Sequence, residues 1–513
     1  MRSGIIRASC RAGLCVASLL TAGHVAAAAV AGPQSIDAAR RLSWAGRYRE
    51  SIELYRRSLS AQAPGPEALP AMAELAEVLA WDHQYDRAIA EAEAALKIDP
   101  AFAPARIARA RALAWSGRHR QALELYDVLL ASGPSRRDLT LERAQLLGWS
   151  GRLIASEREL RSALAQDAGS AKAHAALGEL HSWVGDWASS RAEFGRALAL
   201  SAEDKQAQDG WNRLKDSRRP EASLTPAFFS NSNGFQRSAL TTEIGLRPFD
   251  NWRLAPSHTH WRYLQFGKSA IEADSADLRL DGQVGLRWRF DGEARGTWFQ
   301  SGPATFSGRA RAGGLAADGV HVMASYQRAD LYAGAPSEVI GSFDEASLAS
   351  VQRRVQLDDF AAAFSAEPGR WRLHADAHYG VYRHAGGNRK FSSVDQVFYR
   401  LAGGPEQGVE TGYQLYYLDV QHPSPLYFSP DGYLSHGWAA RAKGRLGRLR
   451  VEVSNLLFYQ PQGRQTGDSV EAGLKMDWGR LRAAVDGYYL VSRLDGGPKF
   501  VSRHVVAAIQ ARF

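Results

Sequence analysis

The chain has 513 residues, 45% of them hydrophobic and 23% charged, so it is long enough for two or more domains and apolar enough to fold throughout. Its formal net charge is +9, but arginines within the first eleven residues supply three of these charges, and the others are spread without a dense basic run. This distribution argues against a nucleic-acid partner.

The beginning of the chain has the pattern of a secretory signal. Its early arginines precede an apolar run over residues 12–30, which is followed by small residues that suit signal peptidase. We predict a signal peptide over residues 1–29. Cys10 and Cys15 both lie within it, so we expect the mature chain to have neither a disulfide nor a thiolate metal site.

A single unit recurs through the first half of the chain. Each copy carries a tryptophan followed two residues later by a glycine, or once by His83, and the intervals are 37, 34, 34 and 34 residues. The marked positions are Trp44, Gly46, Trp81, Trp115, Gly117, Trp149, Gly151, Trp183 and Gly185. Because a 34-residue unit is the length of a tetratricopeptide repeat, we predict an α-solenoid of about five helical hairpins over residues 34–215.

The residues around each marker predict how these helices pack. Small residues recur where two helices must approach closely, at Ser51, Ala88, Ala122, Ser156 and Ser190. Bulky residues follow them at Tyr55, Tyr126, Leu160 and Phe194. We expect the glycines to occupy tight turns and the tryptophans to pack in the core of each hairpin. The alternative role for the tryptophans is an aromatic ladder that binds a ligand.

Beyond a polar linker, residues 216–222, the helical period gives way to alternation of apolar and polar residues. Alternation of this kind suits a strand with lipid on one face and water on the other. The chain after the signal has no run of about 18 apolar residues, so we expect any membrane insertion to use a closed barrel. We predict an antiparallel transmembrane β-barrel over residues 223–513, with roughly 14 to 16 strands.

The charged faces of several predicted strands are candidates for the wall of a water-filled lumen. These candidate residues are Arg287, Arg289, Arg370, Arg372, Asp376, Arg450, Glu452, Arg482 and Asp486. Charged ladders of both signs also brace ordinary barrel walls, so a structural role is the alternative. We assign Asp358 and Asp359 to a polar loop.

Neither half of the sequence has a familiar motif for catalysis or metal binding. The sequence has no zincin motif, no phosphate-binding glycine loop and no nucleophile elbow. His258 and His260 share one strand face and His374 and His378 another, but neither pair has the third and fourth ligands that zinc requires. We expect no cofactor, no metal and no enzymatic activity. A lipid- or polymer-modifying enzyme that uses His374 or His378 is the alternative.

The order of these parts resembles the outer-membrane subunits of exopolysaccharide export, of the cellulose-secretion type, and the YaiO-type outer-membrane barrel family. Residues 424–430, Ser-Pro-Leu-Tyr-Phe-Ser-Pro, resemble an element of such barrels. The alternating segment that ends in Phe513 resembles the signal by which the barrel-assembly machinery recognises its substrates.

The resemblance implies an outer-membrane conduit that secretes an exopolysaccharide. Its repeats would lie in the periplasm, where they would guide the polysaccharide or dock a periplasmic or inner-membrane synthase partner. The alternative is a non-conducting scaffold or receptor in the outer membrane whose repeats recruit periplasmic proteins. In either case the expected surroundings of the barrel are outer-membrane lipid.

Overall fold

The structure is a computed structural model that describes most of the chain. The described residues are 33–61, 65–131, 137–331, 347–404 and 407–513. The predicted signal peptide and both cysteines lie outside them. The chain divides into two compact units, residues 1–183 and 184–513.

The first part of the described chain is helical. The helices are α1 (Pro33–Trp44), α2 (Tyr48–Ser60), α3 (Leu69–Trp81), α4 (Tyr85–Ile98), α5 (Ala103–Trp115), α6 (His119–Ala131), α7 (Arg137–Trp149), α8 (Leu153–Gln166), α9 (Ala171–Val184), α10 (Trp187–Leu200) and α11 (Lys205–Ser217), with a 3-10 turn at Pro66–Ala68. No helix among the described residues is both long and apolar enough to cross a membrane.

The turn inside each hairpin confirms the prediction for the glycines. Gly46, Gly117, Gly151 and Gly185 all have φ between 74° and 84°, the left-handed region that favours glycine. His83 adopts the same conformation with φ of 61°, and its Nδ1 lies 2.8 Å from the hydroxyl of Tyr85. One backbone geometry is therefore repeated even where the residue type changes.

The small and bulky positions also pack as predicted. Ser51, Ala88, Ala122 and Ser156 are at most 1% exposed, and bulky Tyr55, Tyr126 and Leu160 are at most 2% exposed. The hydroxyls of Ser51 and Ser156 each donate to a backbone carbonyl of the preceding helix, at 2.7 Å. These contacts hold the two helices of a hairpin close together because the small side chains leave room for the backbone.

The prediction that the tryptophans pack in the core is wrong for four of them. Trp44, Trp81, Trp115 and Trp149 are 73%, 36%, 37% and 43% exposed. Each is the last residue of its helix, so its ring projects past the closely packed part of the hairpin. The Trp183 ring is half-buried and lies so close to Gly148 that a Cβ there would meet it at 2.8 Å.

The second part of the described chain is built from strands. They are β1 (Glu221–Asn231), β2 (Phe235–Phe249), β3 (Trp252–Gln265), β4 (Ile271–Val284), β5 (Trp288–Phe299), β6 (Thr305–Ala317), β7 (Val320–Asp330), β8 (Gln356–Ala366), β9 (Trp371–Arg383), β10 (Arg389–Gly403), β11 (Gly408–Val420), β12 (Tyr433–Leu446), β13 (Leu449–Gln460), β14 (Gln465–Trp478), β15 (Leu481–Arg493) and β16 (Lys499–Arg512). A short helix, α12 (Leu348–Gln352), lies between β7 and β8.

These sixteen strands form one closed antiparallel barrel in which each strand pairs with its neighbours in sequence and β1 pairs with β16. Glu221 lies opposite Arg512 at this seam, and the Arg512 guanidinium donates to its carboxylate at 2.8 Å. The structure therefore confirms the predicted fold class, helical repeats followed by an antiparallel barrel, with the strand number at the upper end of the predicted range.

Asp358 and Asp359 are not in a loop, so that prediction is wrong. Both lie in β8, where Asp358 pairs across the sheet with Arg328 of β7 and Asp359 with Gln327. Their side chains are 9% and 3% exposed. Arg328 and Arg383 lie beside Asp358, and His378 lies 2.8 Å from Asp359, so each buried carboxylate has a partner on a neighbouring strand.

The two ends of the barrel have different connections. At the near end, where β1 begins, the strands are joined by short turns such as residues 250–251 and 318–319. At the opposite, far end are the two longest connections, residues 331–355 between β7 and β8 and residues 421–432 between β11 and β12. This asymmetry is typical of outer-membrane barrels, which have short turns on one side and longer loops on the other.

Helix α10 is attached to a near-end turn. The Asn251 side chain accepts a hydrogen bond from the Ala188 backbone at 2.8 Å and donates to the Asp186 carboxylate at 2.9 Å. Asp186 is the N-cap of α10, and Arg191 of the same helix forms an ion pair with Asp250. The helix N-terminus and its side chains therefore anchor α10 to the β2–β3 turn.

We predict opposite effects on stability at two equivalent turn positions. Gly117→Ala should destabilise the repeats by about 1 kcal/mol, because a Cβ disfavours the left-handed conformation. His83→Gly should leave them equally stable or up to about 1 kcal/mol more stable, because it removes that penalty. Thermal unfolding followed by the helical circular dichroism signal measures both changes. Destabilisation by both substitutions to the same extent would contradict the shared-turn interpretation.

Candidate functional site

The two faces of the barrel wall differ in chemistry. Large apolar side chains point outward and are exposed, among them Leu224, Ile244, Trp288, Trp298, Phe364, Leu457 and Val485. Charged and polar side chains alternate with them and point inward, as on β9, where inward His374 and Asp376 flank outward Ala375. An apolar exterior suits lipid and a charged interior suits water, so the lumen is the candidate functional site.

The structure places most of the candidate lumen residues within strands on the inner face. These residues are Arg289, Arg372, Asp376, Arg450, Glu452, Arg482 and Asp486. Arg287 lies in the β4–β5 turn and Arg370 in the β8–β9 turn, where strand alternation does not fix the direction of a side chain. The alternation through Arg287 is interrupted at Gly285, which has φ of 59°.

One side of the inner wall, from β2 to β6, carries a dense network of ion pairs that sequence reasoning missed. Arg253 lies 2.6 Å from Glu243, and Arg279 lies 3.3 Å from Glu243 and 3.7 Å from Glu293. Arg309 extends the network, 3.6 Å from Glu293. The charges alternate with apolar residues within each strand, which is the signal that could have revealed this wall.

Arg295 accompanies Asp277, whose carboxylate is the most buried of this network. Its guanidinium bonds the Asp277 carboxylate and lies 3.0 Å from that of Glu293 and 6.0 Å from the ring centre of Trp261. The Asp277 side chain is only 4% exposed. A carboxylate buried to this extent is stable only when a positive charge accompanies it, so Arg295 holds the network together.

Another part of the wall joins carboxylates to histidines. His378 Nδ1 lies 2.8 Å from Asp359, and its Nε2 lies 3.6 Å from Asp376. His374 Nε2 lies 3.1 Å from Asp376. Asp376 thus lies between the two histidines of β9, and Asp359 from β8 adds a second carboxylate beside His378. Across the described residues, no group of three or more histidine, cysteine, aspartate or glutamate side chains is arranged to hold a metal ion.

His258 and His260 do not take part in the lumen. Both alternate with inward-facing Thr259 and therefore point outward. Their rings lie 3.2 Å and 3.1 Å from Asp274, in the half of the barrel toward the far end. The outer surface is thus polar at this cluster.

Helix α12 packs inside the far end of the barrel. Leu348 and Val351 are fully buried, and the cluster that surrounds them consists of inward-facing residues from β1 to β5. These wall residues are Phe229, Phe235, Trp261, Tyr263, Ala273 and Phe299. The lumen is therefore narrowed at this end by a helix held through apolar contacts.

Arg354 fixes the end of this helical segment. Its guanidinium donates to the backbone carbonyls of Val351, Ser301 and Pro303, and it lies 3.3 Å from the ring centre of Phe299. The residue has φ of 54°, a conformation that is unfavourable for a side chain of this size. Several hydrogen bonds and a cation–π contact offset that cost.

The β11–β12 connection also folds over the far end. The ring of Tyr427 stacks on that of Tyr382 at 3.8 Å, and the Asn388 side chain donates to the Tyr427 hydroxyl at 3.0 Å. The Ser347 hydroxyl donates to the backbone carbonyl of Leu426 at 3.2 Å, which joins this connection to the α12 segment. The described parts of the two longest far-end connections thus contact each other at the far end of the barrel.

Comparison with known proteins gives partial matches. Residues 79–144 match the tetratricopeptide repeat family, which agrees with the helical hairpins of this region. The comparison with curated protein sequences gave no match.

Solved structures resemble parts of the fold at low sequence identity. A bacterial polysaccharide outer membrane secretin is 13% identical, with a TM-score of 0.45, over 58% of this chain and 99% of its own. A tetratricopeptide repeat protein of Thermus thermophilus is 19% identical, with a TM-score of 0.32, over 35% and 96%. CdiB from Acinetobacter baumannii is 8% identical, with a TM-score of 0.34, over 57% and 60%.

We predict that the barrel depends on Arg295 for its stability. Arg295→Met should lower the free energy of unfolding by about 3 kcal/mol, because it leaves the carboxylates of Asp277 and Glu293 without their shared partner. Arg289→Met, on the same strand and face but exposed, should change it by less than about 1 kcal/mol. Urea unfolding in detergent, followed by loss of strand circular dichroism, measures both. Equal effects of the two substitutions would show that the network does not hold the wall.

Proposed function

We propose that this protein is an outer-membrane conduit through which an exopolysaccharide is secreted, and that its repeats lie in the periplasm. The observation that carries the proposal is the closed barrel of sixteen strands, with an apolar exterior and a charged inner wall. A barrel of this size leaves space for an aqueous lumen. Hydroxyl-rich polymers suit such a lumen because its polar groups replace the water that the polymer loses.

The asymmetry of the connections supports the proposed orientation. Short turns face the periplasm in outer-membrane barrels and longer loops face outward, so the near end is the periplasmic end in this proposal. Helix α11 ends at Ser217, shortly before β1 begins at Glu221 at the near end. In this orientation the chain passes from the periplasmic repeats into β1 without crossing the membrane.

The repeats have two roles within the proposal: they guide the polysaccharide toward the barrel or dock a periplasmic or inner-membrane synthase partner. Tetratricopeptide arrays form curved surfaces that suit extended ligands and protein partners alike. Phe513 follows β16 and is 65% exposed. In this proposal it is the end of the signal read by the barrel-assembly machinery.

A specific observation favours a second candidate, a non-conducting scaffold or receptor. Helix α12 and the β11–β12 connection both pack over the far end, joined by Ser347 and Leu426. A permanently closed barrel of this kind would act only through its repeats and the partners that they recruit.

Single-channel conductance distinguishes the two candidates. The refolded full-length protein in a planar bilayer should show an open channel that an added oligosaccharide blocks, tested with neutral, cationic and acidic sugar oligomers. The oligomer that blocks identifies the class of polymer. A barrel that never conducts, alone or with oligosaccharide, would support the scaffold and contradict the conduit.

We predict that Arg354 controls the open fraction of this channel. Arg354→Ala removes the hydrogen bonds and the ring contact that fix the α12 segment, so openings should become about tenfold more frequent. Arg464→Ala is the matched control, because Arg464 lies in the β13–β14 turn at the same end and its side chain is 76% exposed. Unchanged conductance in Arg354→Ala, in a barrel that is folded, would mean that the α12 segment does not limit passage.

A further inference from the structure

The four exposed tryptophans occupy the same position in four successive repeats. Trp44, Trp81, Trp115 and Trp149 each end the first helix of a hairpin, immediately before the tight turn. Each ring keeps between 36% and 73% of its surface exposed, which leaves apolar area open to water in every one of these repeats. A recurring exposed ring is therefore a property of the surface that needs a separate explanation.

Ion pairs show that equivalent positions of consecutive repeats are neighbours. Glu77 of α3 and Arg111 of α5 are 34 residues apart and their side chains lie 2.5 Å apart. Trp81 lies four positions after Glu77, and Trp115 lies four positions after Arg111. In each helix the ring and the charged side chain therefore share one face. Arg40 likewise lies four positions before Trp44. The tryptophans therefore form a line along the array, parallel to a line of charged side chains.

The charges beside the tryptophans neutralise one another. Arg111 lies 2.6 Å from Glu142 of α7 as well as close to Glu77, and Arg40 lies 2.8 Å from Glu74 of α3. This face therefore presents paired, polar groups with little net charge.

Buried tyrosine hydroxyls donate hydrogen bonds to the glutamates of these ion pairs. The Tyr126 hydroxyl donates to Glu142 at 2.7 Å and that of Tyr55 to Glu74 at 2.8 Å. Burial, together with the nearby Glu142 carboxylate, raises the pKa of Tyr126, so its hydroxyl keeps the proton that it donates. Each of these two glutamates is thus held by an arginine and by a tyrosine hydroxyl.

One ring of the line is extended by a second aromatic residue. The centres of the Tyr48 and Trp81 rings are 6.1 Å apart, with Tyr48 at the start of α2 in the preceding repeat. At Trp81 the aromatic surface therefore includes residues of the first and the second repeat.

From this arrangement we infer that the tryptophan line, defined as Trp44, Trp81, Trp115 and Trp149, is a track that binds an uncharged polysaccharide by stacking its sugar rings on the indoles. The inference rests on the proposed function and names the class of polymer and the residues that hold it. Flat aromatic rings contact the C–H face of a pyranose, and the flanking polar pairs can exchange hydrogen bonds with its hydroxyls.

The periodicity and charge of the track favour this occupant over others. A polymer of identical units can meet an identical ring in each repeat, whereas a folded protein or a mixed peptide has no reason to present the same group at equal intervals. An acidic or cationic polymer would need unpaired charges of the opposite sign, and the arginines and glutamates along this line are paired with one another.

The test is binding of a neutral β-glucan oligomer, cellohexaose, to the full-length protein in detergent, measured by isothermal titration calorimetry. A glucosamine oligomer and a galacturonic acid oligomer are the charged probes. Trp81→Ala, Trp115→Ala and Trp149→Ala should each weaken cellohexaose binding about three- to tenfold, and the triple variant should abolish it. The charged oligomers should bind at least tenfold more weakly than cellohexaose.

Two matched controls separate stacking from general apolar contact. Trp115→Phe keeps a flat ring and should retain more affinity than Trp115→Leu, which keeps only apolar volume. Val128→Ala removes an exposed apolar side chain of α6, 53% exposed and outside the line, and should leave affinity unchanged. Helical circular dichroism shows that each variant is folded.

The outcome is independent of whether the barrel conducts. Loss of cellohexaose binding in the tryptophan variants, with the channel conductance of the full chain retained, supports the track. Wild-type affinity in the triple variant, no binding of cellohexaose to the wild-type protein, or tighter binding of a charged oligomer overturns it and leaves the conduit standing. A closed channel that still binds cellohexaose through the tryptophans supports the track but contradicts the conduit.

Discussion

Closure of the sheet is the constraint on which the rest of the barrel depends. A strand edge with unpaired backbone groups is prohibitively costly in lipid. Closure removes this edge by pairing β1 with β16, which are separated by nearly 300 residues of chain. The seam is reinforced on the inside, where Glu221 accepts from Gln510 and Arg512 at 2.7 Å and 2.8 Å. Once the register of this seam is set, strand alternation fixes which side chains point outward and which line the lumen.

The inner wall follows from that alternation. Charged side chains placed inside a narrow space lose much of their hydration, and they are stable there because they pair across strands, as Arg295 does with Asp277. The same pairing suits the proposed conduit, because a wall of neutralised charges offers many hydrogen-bonding groups without a strong field that would trap one ion. Bracing the wall and lining a conduit are therefore compatible roles for one set of residues.

Much of this organisation follows from periodicity in the sequence. The 34-residue unit predicts the hairpins and the glycines in their tight turns, and the two-residue period predicts the barrel, because both patterns express local geometry. What periodicity cannot show is which distant residues become neighbours. Asp358 looks like a loop residue until Arg328 and Arg383 are brought beside it, and the tryptophans look like core residues because sequence does not reveal where a helix ends relative to its packed face.

Aromatic faces beside paired charges occur in both units of the chain. In the repeats, Trp115 lies on the helix face of the Arg111 ion pairs, and inside the barrel Trp261 lies beside Arg295, with Tyr263 stacked on it at 6.1 Å. In the proposed track, each exposed indole of the repeats would hold a sugar unit weakly, whereas Trp261 is only 7% exposed and belongs to the packed wall. Passage of a polymer needs contacts that are favourable enough to admit it and weak enough to release it. Many equivalent weak contacts meet both conditions, whereas one tight site would stop the chain.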